Sequence, residues 1–136
     1  MFENLYPDFI EVLKLAETRE YLYNKAYGDK VYSLTDFIRE KTPEEVKADD
    51  AEAELLNYLE TLDYDTIKIL MTIMFLGRDN DFDDIKDVEE RFKTIYEDSV
   101  DTNLFKSKEI DIDYMESKVP LGSYLKQGFK IMGINL

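Results

Sequence analysis

Four acidic side chains follow one another at the spacing of a calcium-binding loop. Asp79, Asp81, Asp83 and Glu90 occupy positions 1, 3, 5 and 12 of an EF-hand pattern, and a hard cation such as Ca²⁺ prefers several carboxylate oxygens. Position 6, where the loop needs glycine for its sharp turn, is Asp84. The alternative interpretation is an acidic helix start, which the helix dipole stabilises. A carboxylate-based metal-binding protein is therefore one hypothesis among several.

The residues just before this loop form a second candidate site. Gly77, Arg78 and Asp79 follow the nearly all-apolar segment 67–76. An arginine presented beyond a buried helix could act as an interaction site. Alternatively, Gly77 takes the left-handed position that ends many helices and Arg78 interacts with the last carbonyl groups. The sequence leaves both interpretations open.

The composition excludes most catalytic chemistry. The chain contains no histidine and no cysteine, so it lacks the usual general base at neutral pH and any thiolate nucleophile. Its few serines have no histidine to activate them, and adjacent acids are expected by chance among 31 acidic residues. We therefore predict that the protein is not an enzyme, has no catalytic residues and needs no cofactor.

The negative charge is concentrated in two stretches. The net charge is −14; residues 44–65 hold nine acids against one lysine, and residues 79–101 hold ten acids against three bases. Direct nucleic-acid binding is disfavoured, because it depends on Lys and Arg neutralising phosphates. Such acidic surfaces instead steer association with a basic partner.

Start and stop signals predict helices throughout the chain, and hence an all-α fold. We expect one helical domain over 1–136, a compact bundle of five to seven helices with an apolar central helix at 64–77. For the second long helix, both a continuous helix and one broken near Asp49 and Asp50 are considered. Residues 99–109 are expected to form a loop. The predicted helix starts are Pro7, the stretch 33–36, Thr42, Asp63, the stretch 80–83, Ile110 and Pro120.

Two short motifs carry a family resemblance. The segment Leu70-Met71-x-x-Met74-Phe75-Leu76-Gly77-Arg78-Asp79 and the later segment Pro120-Leu121-x-x-Tyr124-Leu125-x-x-Gly128-Phe129 resemble a bacterial family catalogued as domain-of-unknown-function family 3775. The resemblance covers roughly residues 55–133. It implies a small helical domain and no activity, and it marks Gly77, Arg78 and Asp79 as a feature shared with that family.

These observations favour a non-enzymatic protein-interaction module that binds a partner with a basic surface. A nucleic-acid mimic, which would inhibit a DNA- or RNA-binding protein, is the first alternative, and the metal-binding protein is the second. We expect no membrane association and a cytoplasmic location, because no signal peptide is visible and the apolar segment is about half the length that spans a bilayer. A homodimer is compatible with each hypothesis.

Overall fold

The protein is all-α, as the sequence predicts. The computed structural model describes residues 1–28 and 39–136; the short helix expected to start within 33–36 lies outside these residues. The described part contains a 3₁₀ turn, six α-helices and no strand. The elements are the 3₁₀ turn Glu3–Leu5 and the helices α1 (Tyr6–Tyr27), α2 (Pro43–Thr61), α3 (Tyr64–Asp79), α4 (Val88–Asp101), α5 (Lys108–Glu116) and α6 (Leu121–Ile131).

Helices α3 and α6 form the centre of the bundle. Helix α3 contacts α4, α5 and α6, and α6 also contacts α1, which in turn packs on α2. Ile67, Leu70, Ile73 and Met74 of α3 are fully buried, because this helix is apolar on nearly every side and packs against its neighbours with most of its surface. The apolar central helix is thus confirmed.

Two of the predicted helix starts are confirmed in atomic detail. Thr42 and Glu45 form a reciprocal capping box at the start of α2, with Glu45 N donating to Thr42 Oγ1 over 3.2 Å. Asp63 caps α3 by accepting a 2.8 Å hydrogen bond from Thr66 N. Helix α2 continues without interruption through Asp49 and Asp50, so the break considered there is wrong.

The predicted end of α3 is also wrong. Gly77 does not occupy a left-handed position: the helix continues to Asp79, and Asn80 adopts the left-handed conformation with φ 54°. Asparagine tolerates this conformation better than most residues. Gly77 is therefore inside the helix, where its lack of a side chain has a packing role.

The start of α4 lies later than the sequence analysis predicts. The stretch 80–83 does not cap this helix; Asp87 does, by accepting hydrogen bonds from Glu89 N and Glu90 N. Part of the expected loop at 99–109 is helical, since α4 reaches Asp101 and α5 begins at Lys108. Local acid-rich sequence offers several competing caps, and the position of α4 against α3 selects one of them.

In the described ranges 1–28 and 39–136, none of the helices combines the length and the apolar character needed to cross a membrane.

Candidate functional site

The glycine of the Gly77-Arg78-Asp79 motif is a contact point between the two central helices. A Cβ atom built on Gly77 would lie 1.8 Å from the carbonyl oxygen of Tyr124 and 2.6 Å from the backbone nitrogen of Gly128, both in α6. A Cβ atom on Gly128 would lie 2.2 Å from the carbonyl oxygen of Ile73. The two glycines thus let the backbones of α3 and α6 meet directly.

Arg78 joins the end of α3 to α5. Its Nε and Nη2 atoms donate to the two carboxylate oxygens of Asp79 over 2.9 and 2.8 Å, and Nη1 donates to the Tyr114 hydroxyl over 3.0 Å. The guanidinium carbon also lies 5.3 Å from the ring centroid of Phe75. The hydrogen bonds from Arg78 lower the pKa of Asp79, and those bonds raise the pKa of Arg78 in turn. Within the fold, this arginine has a bidentate carboxylate partner and a structural role.

The structure does not bring the four calcium-loop carboxylates together. Asp79 is engaged with Arg78, and the backbone carbonyl of Asp81 accepts a 3.0 Å hydrogen bond from Arg91 Nε. Arg91 is buried and also donates to the carbonyl of Asn80, so the turn is organised around an arginine. Across residues 1–28 and 39–136, no three acidic side chains are grouped as a metal site would require.

Some of the acidic charge is used to hold helix ends. Glu45 accepts from Arg39 over 2.8 Å, and this bond is the main cause that lowers the pKa of Glu45 to about 2. Asp63 and Asp87 cap α3 and α4, and Asp49 forms an ion pair with Lys41. Carboxylates in these roles are already hydrogen-bonded within the fold.

A charge cluster around the buried Arg19 joins α1, α2 and α5, and the sequence did not predict it. The Arg19 side chain is 4% exposed; Nη1 donates to the carbonyl oxygen of Glu116 over 2.7 Å, and Nη2 lies 3.8 and 3.7 Å from the carboxylates of Glu52 and Glu116. Burial and the hydrogen bond with Glu52 raise the pKa of Glu116 to about 7. No local pattern marks this cluster, because its members are far apart in the chain.

An open groove of about 940 Å³ lies between α3, α4 and the N-terminal residues. We call it the α3–α4 groove. Its apolar side chains are Met1, Phe2, Ile69, Phe92 and Tyr96, and its charged side chains are Asp65, Asp87, Glu89, Glu90, Lys93 and Glu97.

The α3–α4 groove combines an apolar floor with acidic walls. The rings of Phe2 and Phe92 meet edge to face with centroids 5.0 Å apart, and the rings of Phe92 and Tyr96 are stacked with centroids 6.2 Å apart. Five carboxylates line the groove against one lysine, and that lysine, Lys93, is itself within 3.9 Å of Glu97. Of the residues predicted as sites, only Glu90 lines the groove. The helical spacing of residues 89, 93, 96 and 97 is a sequence signal that could have indicated the other groove residues of α4.

No protein-family model, curated protein or solved structure matches this chain. The resemblance to domain-of-unknown-function family 3775 therefore stays a prediction.

Proposed function

We propose that this protein is a non-enzymatic interaction module that binds another protein through a basic surface of that partner. The observation that supports the proposal is how the fold distributes its opposite charges. Each of the four arginines is engaged inside the molecule, with the carboxylates or carbonyls of Glu116, Glu45, Asp79 and Asn80. The four guanidinium groups are thus used to stabilise the fold.

The outward faces of the acidic helices keep a large excess of carboxylates. Asp50 and Glu54 of α2 are exposed, as are Glu89, Glu90 and Glu97 of α4. A surface of one sign attracts a partner of the opposite sign and raises the association rate, in a manner that salt screens. Anionic partners, such as nucleic acids and acidic lipid surfaces, would be repelled by the same field.

The test begins with the chain immobilised and exposed to a lysate of the cells that make it, at low and at high salt. We expect a stoichiometric partner with a basic surface that is retained at low salt and lost at high salt. The association rate of the purified partner should then fall steeply with ionic strength, since electrostatic complementarity acts mainly on this rate. A partner that binds with the same rate at every salt concentration, or the lack of any partner, would contradict the proposal.

The identity of the partner separates this function from the nucleic-acid mimic. A mimic must compete with nucleic acid for one groove of its target. If the partner is a DNA- or RNA-binding protein and nucleic acid displaces this chain, inhibition by mimicry replaces the proposed function. If nucleic acid leaves the complex intact, the interaction module stands.

A further inference from the structure

We propose that the α3–α4 groove is the docking site of this module, and that its occupant is a basic amphipathic helix of the partner protein. The inference rests on the proposed function and adds to it a surface and a partner structure. To bind such a helix, the groove must contact a row of apolar side chains with its floor and the positive charges on either side of that row with its walls.

The floor of the groove is suited to apolar anchors. Phe92 is 5% exposed and lies between the partly exposed rings of Phe2 and Tyr96, so these two rings supply the accessible apolar surface of α4 and the N-terminus. Ile69 of α3 lies across the groove and is partly exposed. Apolar side chains inserted between these groups would leave water, which is the main favourable term in such contacts.

The two walls of the groove carry the same sign of charge and come from separate parts of the chain. Asp65 lies on α3, at the end of the first acidic stretch; its carboxylate is 3.5 Å from Lys68 Nζ, and its side chain is 87% exposed. Glu90 and Glu97 stand on α4, in the second stretch. A ligand lying between them needs cations on both of its flanks, with apolar groups facing the floor.

An amphipathic helix meets this requirement better than an extended peptide. A bound strand takes its affinity from main-chain hydrogen bonds to a free sheet edge, whereas the groove walls are helices that satisfy their own backbone groups. A helix instead presents apolar residues at i, i+3, i+4 and i+7 with lysines and arginines beside them. The groove-lining residues of α4 run from Glu89 to Glu97, about 12 Å at 1.5 Å per residue, so the groove suits about two turns of partner helix.

The test uses two synthetic peptides of identical leucine and lysine composition. In the first, the leucines recur at i, i+3, i+4 and i+7; in the second, the same residues are scrambled so that no apolar face forms. We expect the first peptide to bind the wild-type chain roughly ten-fold more tightly than the second, because only the first presents a continuous apolar face. Equal affinity of the two peptides would overturn the proposal, since charge alone would then explain binding.

A matched pair of variants locates the binding surface. Glu90→Lys/Glu97→Lys changes the groove, and Glu44→Lys/Glu60→Lys changes α2, none of whose residues lines the groove. Each pair alters the net charge equally, and each combines one residue in the first turn of a helix with one exposed residue further along. We expect the groove variant to lose roughly ten-fold in affinity for the amphipathic peptide and the α2 variant to retain most of it. Equal losses in both would overturn the docking site.

Methyl NMR of the wild-type chain gives a readout that does not depend on the folding of any variant. Titration with the amphipathic peptide should shift the Ile69 methyl signal, which lies in the groove, and leave that of Ile110, exposed on α5, unchanged. The reverse pattern would overturn the docking site.

The failure of the docking site is distinguishable from the failure of the proposed function. If the salt-sensitive partner from the lysate binds wild type and groove variant alike, the interaction module stands and the groove is not its site. If neither peptide binds and no salt-sensitive partner is captured, both proposals fall.

Discussion

Replacing Gly77 with alanine should destabilise the fold, although the same change in most helices is stabilising. Alanine has the higher helix propensity by about 1 kcal/mol, and Gly77 lies inside α3. Its new Cβ atom, however, would lie 1.8 Å from the carbonyl oxygen of Tyr124. Carbon and oxygen cannot approach so closely without bonding, so the backbones of α3 and α6 must move apart.

The magnitude follows from the nature of the atoms that clash. The three nearest atoms to the added Cβ are backbone atoms of Tyr124 and Gly128, so no side-chain rotation can relieve the contact. Overpacking of this kind costs about 3 kcal/mol at the upper end of its usual range. After the gain of about 1 kcal/mol in propensity, we expect a net loss of about 2 kcal/mol, which lowers Tm by about 7 °C for a chain of this size.

Urea unfolding monitored by circular dichroism measures the loss in the free energy of unfolding. The Ala53→Gly variant is the control that measures the difference in helix propensity between alanine and glycine. Ala53 is exposed in α2, so this change reports helix propensity in the same protein without a packing term. Gly128→Ala should lower the stability about as much as Gly77→Ala, because a Cβ atom on Gly128 of α6 would clash with the backbone of Ile73 in α3. A Gly77→Ala variant that is as stable as wild type, or more stable, would refute the close approach of α3 and α6.

Three further results are expected. Glu116 has its folded-state pKa raised to about 7 from 4.5, so its contribution to stability is present below pH 4.5 and is lost as the pH rises through about 7; Glu116→Gln should therefore lose less stability than wild type between pH 5 and 8 in urea titrations. Thr42→Ala removes the acceptor of the capping box and should cost about 1 kcal/mol in the same assay; an unchanged midpoint would count against the cap. Millimolar calcium should leave Tm unchanged, because the carboxylates of 79–90 are not grouped around a common point; a saturable rise would restore the metal hypothesis.

Local interactions account for the parts of the fold that were predicted correctly. Thr42 and Asp63 were identified as caps because a cap bonds to backbone groups only three residues away. The apolar character of 67–76 likewise predicted a buried helix, since such a surface has few favourable positions outside a core. These signals are complete within a short window of sequence.

The errors arose where several local signals competed. Gly77 has the residue type that commonly ends a helix, yet contact with α6 keeps it helical and moves the end to Asn80. The stretch 80–83 offers acceptable caps, yet Asp87 is the one used. In both places the tertiary contacts of the helix, and not its own residues, decided the boundary.

By itself, the sequence determined the helical class, the buried central helix and the excess of negative charge, because each depends on composition or on neighbours along the chain. Only the tertiary structure decided which charges face solvent. It placed Arg78 on Tyr114, and it brought Asp65 to the same groove as Glu97. Such contacts join residues tens of positions apart, and their geometry depends on how the helices pack.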